Sequence, residues 1–352
     1  MGQYVYRFTR CSRQHYEFCW GGVDTILIAE GTYYPTQSPV GTTTDARDRA
    51  FHLADSNVVL IGGYDASAGT KTGDNTILSG DLVTAGSSTD SAFHVFITNG
   101  LTNATSIENM VVSAGKANSV GSITYQSTTY FKNYGGGFYN ISSSPKFSNC
   151  IVTTNSADYG AGMSNTSSSP ELTNCVFTNN NATTNGGGLI NLTSSSPSLI
   201  NCTFNSNNCS NNGGAMLNFS SSNPTIVNTV FYKSTASNSG NTIYNNSSSL
   251  NANSTNNATD ADTGLFTSPI YLSSIYYNQL FVDSIDLDGT DNQWSTADDG
   301  LLILPSSFLY SAGDTTGAPS EDITGFARPN PPSIGAYEAY PTCNANYATI
   351  YV

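Results

Sequence analysis

The chain has 352 residues, of which only 10% are charged, and its formal net charge of -14 comes from 25 acidic residues against 11 basic ones. This balance disfavours nucleic acid as a partner, because nucleic-acid binding needs a surface of Lys and Arg that displaces counterions. No stretch approaches 18 consecutive apolar residues, so no membrane span is predicted. Disorder is also disfavoured, because 21 Tyr and 16 Phe can contribute to a core.

The charged residues are unevenly distributed along the chain. Eight of the 11 bases precede residue 133, and residues 137–250 carry four charged side chains, while Asn, Ser and Thr exceed half of that span. From residue 260 to residue 322 there are eleven acids and no base. The chain therefore divides into an atypical N-terminal segment (1–22), irregular coils (23–134), regular repeats (135–250), an acidic closing segment (251–340) and a tail (341–352).

The two N-terminal regions contain few informative motifs. Residues 1–20 lack the apolar stretch of a signal peptide. Strand-like runs such as DTILIAEGTYY (24–34) and AFHLADSNVVLIGGY (50–64) then alternate with turns, which predicts less regular coils of the solenoid described next. One charge cluster is interpreted as a solvated loop: Asp45, Arg47, Asp48 and Arg49. The three histidines share no motif, which favours structural roles: His15, His52 and His94.

A repeat of 25–27 residues decides the fold. GGGFYNISSSPKFSNCIVTTN (135–155) returns as GAGMSNTSSSPELTNCVFTNN (160–180), and again with substitutions from residues 186 and 213. Each unit consists of short extended segments divided by Gly-rich and Ser-Ser-Ser-Pro turns. A unit of this length with three short strands matches one coil of a parallel β-helix, whose coils stack about 4.8 Å apart.

Stacking in register would place equivalent residues directly above one another. The predicted internal apolar ladders are Val152, Phe177, Phe204 and Phe231, and Phe147, Leu172, Leu199 and Ile226. The predicted ladder of side-chain amides, each donating to the next, is Asn140, Asn165, Asn191, Asn218 and Asn245. The predicted buried free thiols, whose aligned Cβ atoms give poor disulfide geometry, are Cys150, Cys175 and Cys202, continued by Thr229. Cys11–Cys19 is the bridge favoured by proximity.

These motifs carry a family resemblance. GGAM (213–216), FTNN (177–180) and FNSN (204–207) resemble the GGAI and FxxN repeats of chlamydial polymorphic outer-membrane proteins. The full pattern GGGxxNxSSSPxLxNCxFxxN resembles secreted and surface β-helix proteins of Bacteroidetes. The text TADDGLLILPSSFLYSAGD…DITGFARPNPPSIGAYE (296–338) resembles the closing segment of bacterial choice-of-anchor domains. The resemblance implies a right-handed, pectin-lyase-like β-helix and surface display or secretion.

The acidic text DSIDLDGTDNQWSTADDG (283–300) is the one predicted ion site. Its first aspartates alternate with other residues around Gly289, a spacing of oxygen ligands that Ca²⁺ favours. It is not an EF-hand, because the flanking helices and the twelfth-position Glu are missing. The candidate ligands of a structural calcium ion are Asp286, Asp288, Asp291, Asp298 and Asp299. The alternative is a solvated turn whose carboxylates cap backbone N–H groups. No other cofactor is predicted.

We therefore predict an all-β, single-stranded right-handed parallel β-helix of about ten coils. Its predicted role is that of a non-catalytic extracellular module, adhesin-like or structural, which contacts cell-surface or matrix polysaccharide through Asn, Ser, Thr and Tyr. One alternative is a filament subunit that stacks end to end through unpaired β-helix edges. The other is a polysaccharide lyase or glycoside hydrolase, although the regular coils offer no carboxylate pair of the kind that hydrolysis needs.

Overall fold

The computed structural model describes residues 5–8, 24–43, 45–82, 90–262, 264–266, 269–272 and 279–339. Strands of successive coils pair in parallel, and no α-helix occurs among these residues, so the predicted parallel β-helix is confirmed. No helix in this part of the chain is long and apolar enough to cross a membrane. The predictions for His15, the Cys11–Cys19 bridge and the tail fall outside the described residues.

Each regular coil passes through four sheets, which we number in the order in which the chain meets them. The strands of sheet 1 are Phe51–Leu53, Phe96–Asn99, Phe138–Ile141, Met163–Thr166, Leu189–Leu192, Met216–Phe219 and Ile243–Asn246. The strands of sheet 2 are Val5–Phe8, Asp24–Ala29, Val58–Tyr64, Ser106–Glu108, Lys146–Ser148, Glu171–Thr173, Ser198–Ile200 and Thr225–Val227. The strands of sheet 3 are Gly31–Tyr33, Thr76–Ser79, Met110–Ser113, Ile151–Thr153, Val176–Thr178, Thr203–Asn205, Val230–Tyr232, Ala258–Thr259 and Ile270–Tyr271.

The fourth sheet was not predicted. Its strands are Lys116–Ala117, Ser156–Tyr159, Asn181–Asn185, Asn208–Cys209 and Thr235–Ala236. They are short and rich in Asn, Ser and Thr, which sequence patterns assign to turns. Their inward positions are small residues that pack together: Ala117, Ala157, Ala182, Cys209 and Ala236. The remaining elements are an antiparallel hairpin of strands Ser122–Tyr125 and Thr128–Phe131, and a 3-10 turn at Ala46–Asp48.

A residue in the left-handed backbone region turns the chain at each corner of a regular coil. In one coil these residues are Ser167 (φ 50°), Asn174 (φ 51°), Asn179 (φ 55°) and Gly186 (φ 67°). Asn tolerates this region better than most residues because its short side chain hydrogen-bonds locally. The corner before sheet 1 is glycine, since a Cβ on Gly186 would lie 2.8 Å from the carbonyl oxygen of Leu189.

The predicted internal ladders are confirmed. The Phe177 and Phe204 rings stack with centroids 4.8 Å apart, and Phe204 and Phe231 stack at 5.1 Å. Leu172 pairs in register with Leu199 on the opposite wall of the core, and all of these side chains are buried. The in-register stacking of large apolar side chains therefore supplies the continuous core of the solenoid.

The predicted amide ladder is also confirmed. Asn165 donates from Nδ2 to Oδ1 of Asn191 at 2.9 Å, and Asn191 donates to Asn218 at 2.8 Å. Asn140 and Asn165 are fully buried, so their amides face the interior of the solenoid. A second ladder of Asn155, Asn180 and Asn207 lies at the corner between sheets 3 and 4. Asn155 and Asn180 each donate both to the next amide and to a main-chain carbonyl, and Asn207 ends the ladder by donating to the carbonyl of Phe177.

The thiols of the repeat are free and buried, as predicted. Cys150, Cys175 and Cys202 stack beside the core without a disulfide. Each Sγ lies within hydrogen-bonding distance of main-chain carbonyls, such as that of Ile107 at 3.4 Å from Cys150. Burial raises the pKa of the Cys175 thiol well above its ordinary value.

The acidic C-terminal segment lies along the flank of the solenoid. Residues 279–339, here called the strap, pack on the outer face of sheet 3. The outward side chains of that face are apolar and buried under the strap: Val111, Ile151, Val176 and Val230. Strap residues packed against them include Trp294, Leu301, Ile303 and Tyr337. The strap therefore covers an apolar face that would otherwise be exposed to water.

The strap is bound through the Asn corners between sheets 2 and 3. Asn228 donates from Nδ2 to the carbonyl of Asp314 (2.8 Å) and accepts from its N–H (2.7 Å). Asn201 donates to the carbonyl of Ser333 at 3.0 Å. Arg328 donates to Asn174 Oδ1 at 2.8 Å and forms a buried ion pair with Glu338. One row of outward amides thus joins the strap to successive coils.

Both ends of the solenoid are partly covered. At the first coil, Val5–Phe8 pairs antiparallel with Asp24–Ala29 and occupies that edge of sheet 2. At the last coil, Phe266 stacks on Phe231 with ring centroids 5.8 Å apart, and Leu250 and Leu265 pack against the same core. Sheet 3 has nine strands among the described residues, one from each coil, and the sequence predicted about ten coils.

The interpretation of residues 45–49 as a solvated loop is wrong for Arg47 and Asp48. The Arg47 guanidinium lies 4.0 Å from the Phe93 ring centroid and donates to the carbonyl of Ser91 at 2.7 Å. Asp48 is buried and pairs with Lys132, with Nζ and Oδ1 2.6 Å apart. The cluster joins this loop to the hairpin, a partner that sequence spacing could not identify.

Candidate functional site

A groove lies between the strap and the outer face of sheet 3, and its volume is about 340 Å³. Its apolar lining comes from Ile77 and Val111 of sheet 3 and from Leu287 and Trp294 of the strap. Short polar side chains and one carboxylate complete the lining: Ser113, Thr153, Thr154, Asn179, Asn292 and Asp288. Ile285, 90% exposed, lies at the edge. An apolar surface with a few polar groups is typical of small-molecule sites.

The acidic loop is held in place over the groove by a paired amide contact. Asn75, which precedes a sheet 3 strand, accepts from the main-chain N–H of Trp294 at 2.8 Å. It also donates from Nδ2 to the Trp294 carbonyl at 2.8 Å. Both main-chain polar groups of Trp294 are therefore hydrogen-bonded to Asn75. Its side chain packs in the same apolar cluster as Val111, and the two contacts together hold the loop against sheet 3.

Two of the predicted calcium ligands cap turns within the loop. Asp298 accepts from the N–H of Thr290 (2.8 Å) and from the hydroxyls of Thr290 and Thr296, which lower the pKa of its carboxyl to about 2. Asp299 accepts from the N–H of Ser295 (2.8 Å) and from the hydroxyl of Tyr337. Burial raises the pKa of Asp299 to about 6, although these donors oppose the shift.

The other three candidate ligands are not brought together with these two. Asp288 lines the groove, Asp291 accepts from the N–H of Gln293 at 2.8 Å, and Asp286 is exposed. In the part of the chain that the structure describes, no group of three or more His, Cys, Asp or Glu is arranged to hold a metal ion. The arrangement supports the turn-capping interpretation for Asp298 and Asp299, and the calcium site stays a prediction.

Both described histidines have structural surroundings. His94 is buried, places Nδ1 2.9 Å from the carbonyl oxygen of Gly135, and has a pKa lowered to about 4 by burial. His52 lies edge-on to the Tyr125 and Tyr130 rings, and burial lowers its pKa. The His52 imidazole packs against the hairpin and the His94 imidazole packs beside Tyr139, so neither lines the groove, which agrees with the structural roles predicted for them.

The sequence did not identify the groove. Trp294 and Ile285 are the signal that was available, because each is a large apolar residue within the acidic text. Their neighbours Ile77, Val111 and Asn179 come from three different coils, and only the path of the strap places them beside Trp294.

No family model and no curated protein matches the chain. The fold is therefore established by the strand pairing itself, and the role of the groove is argued from its residues.

Proposed function

We propose that this protein is a non-catalytic, extracellular β-helix module that contacts carbohydrate through the groove between the strap and sheet 3. The observation that carries the proposal is the lining of the groove. The exposed side chain of Ile285 offers an apolar surface for the C–H face of a sugar ring beside the largely buried Leu287 and Trp294. Asn179, Asn292 and Thr154 offer donors and acceptors for hydroxyl groups. A surface or secreted location is proposed from the resemblance of the repeats.

The non-catalytic part of the proposal is supported by the contacts of the ionisable groups. Asp298 and Asp299 accept hydrogen bonds within the loop, Arg328 and Glu338 form a buried pair that holds the strap, and His94 is buried beside Tyr139. A general acid or base must reach the substrate proton directly or through one water. These groups are instead occupied in stabilising the fold.

The partly covered ends favour a single rod over a filament. Val5–Phe8 already pairs with one edge of sheet 2, and Phe266 covers the last ring of the internal ladder. Negative-stain images of the purified protein should accordingly show short rods at concentrations used for binding.

The test is binding to a glycan array together with a search for products. We expect retention of one or more glycans, without release of unsaturated sugars or reducing ends from pectin or alginate. Ile285→Asn at the groove should weaken binding, whereas Val120→Asn, which changes a comparably exposed residue (94%) on another loop, should not. Product release would overturn the non-catalytic assignment, and equal loss in both variants would overturn the location of the site.

A further inference from the structure

The groove has a one-sided charge. Asp288 lines it, and none of its described lining residues is basic. The loop that forms its outer wall, residues 283–300, contains six acids and no base. Of the four other candidate aspartates on that wall, Asp286 and Asp291 are exposed to solvent and add to the negative charge of the loop.

This charge discriminates among saccharides of similar shape. A polyuronate bound in the groove would place its carboxylates near the carboxylate of Asp288, and like charges close to each other repel. A sugar that carries a protonated amine would place a cation where the loop supplies only anions. The apolar lining, with Ile285 exposed at its edge, does not discriminate between them, because a hydrocarbon surface suits the C–H face of either ring.

Building on the proposed carbohydrate contact, we infer that the groove selects amino sugars with a free amine and rejects uronates, with Asp288 as the specificity residue. The inference also separates this groove from the lyase and pectinase alternative, whose substrates are uronates.

The most direct test compares a cationic ligand with a neutral ligand of the same backbone. Oligomers of β-1,4-linked glucosamine and the same oligomers fully N-acetylated share a backbone, but only the first are cationic near neutral pH. Titration calorimetry at low salt should show tighter binding of the amine form by up to about fivefold, the upper end of the range for one exposed ion pair. The preference should shrink as salt is added, since exposed charges are screened. Oligogalacturonate should bind most weakly.

A charge-neutral variant locates the effect. Asp288→Asn should reduce affinity for the amine oligomer to that of the N-acetylated oligomer and leave the latter unchanged. Asp55→Asn, which neutralises an exposed acid elsewhere on the rod, is the matched control and should keep the preference. Circular dichroism of both variants checks that the β-helix is intact.

Each outcome decides the inference separately from the proposed function. Equal affinity for the amine and N-acetylated oligomers would overturn the charge selection and leave carbohydrate contact standing. A preference that survives Asp288→Asn would overturn the role of this residue. Absence of binding to both oligomers, when a neutral or uronate glycan does bind, would reject the amino-sugar assignment alone.

Discussion

Asn140 donates from its Nδ2 to Oδ1 of Asn165, 2.8 Å away and one coil further along the solenoid. The pair begins a buried row in which every amide accepts from one neighbour and donates to the next. Only a side chain with both a donor and an acceptor can continue such a row without leaving a buried group unpaired. A carboxylate has no donor, and a hydrocarbon has neither.

Replacing an amide within this row should therefore destabilise the whole rod. Asn191→Asp removes the donor to Asn218 and buries a charge, and we expect a loss of about 3 kcal/mol or more in the free energy of unfolding. Urea unfolding measures the change. Asn181→Asp, on the exposed face of sheet 4, is the control and should stay within about 0.5 kcal/mol of the parent. Similar values for both variants would contradict the ladder.

The buried ion pair of the strap makes a second prediction. Arg328→Leu leaves the carboxylate of Glu338 buried without its partner, which costs about 3–5 kcal/mol. We expect the strap to become more sensitive to limited proteolysis, because Asn174 keeps its bond to the carbonyl of Glu321 but loses its bond from Arg328. The double variant Arg328→Leu, Glu338→Leu should recover part of the loss, since no uncompensated charge remains. If the double variant is no more stable than Arg328→Leu, the lost stability comes mainly from the other hydrogen bonds of Arg328.

His94 should make the protein less stable in mild acid. Its pKa is about 4 in the folded protein and about 6.5 when unfolded, so only the unfolded chain binds this proton between those values. The stability contribution is fully present above pH 6.5 and falls by about 3 kcal/mol as the pH drops to 4. His94→Gln should flatten this part of a curve of unfolding free energy against pH. An unchanged slope would refute the assignment.

Asp299 should have the opposite effect to His94, because it contributes more to the free energy of unfolding in mild acid than at neutral pH. Its folded pKa of about 6 lies above its ordinary value, so the folded protein binds the extra proton between about pH 4 and 6. Its contribution is greatest below pH 4 and is lost as the pH rises through 6. In the His94→Gln background, stability should therefore fall with rising pH across this window. Adding Asp299→Asn should remove that slope, and persistence of the slope would assign it to another group.

The buried thiols should be inert in the native protein. Burial and raised pKa values leave little thiolate at Cys150 and Cys175, and the thiolate is the reactive form. Peptide-resolved alkylation with iodoacetamide at neutral pH should label neither residue until urea is added. Labelling of Cys175 in native buffer would show that the coils open locally.

The interior contacts of the solenoid could be predicted from the sequence because of the geometry of a parallel stack. In a parallel stack with a repeat of nearly constant length, each residue lies above its own counterpart. Phe177 must therefore contact Phe204, and Asn165 must contact Asn191, whatever the rest of the chain does. The strands of sheet 4 were not predicted because they have only two to five residues, as at Asn208–Cys209, which is too few to show a clear alternation.

The strap shows where the sequence alone was insufficient. Residues 279–339 have no repeat, so nothing in their order states which coil each one meets. The contacts of Asn75 with Trp294 and of Asn228 with Asp314 join residues far apart in the chain, and they exist because sheet 3 exposes an apolar row that must be covered. The repeat by itself determined the coil, its register and its ladders. Only the tertiary structure decided the path of the strap, and with it the groove, because burial of that row is a property of the folded rod.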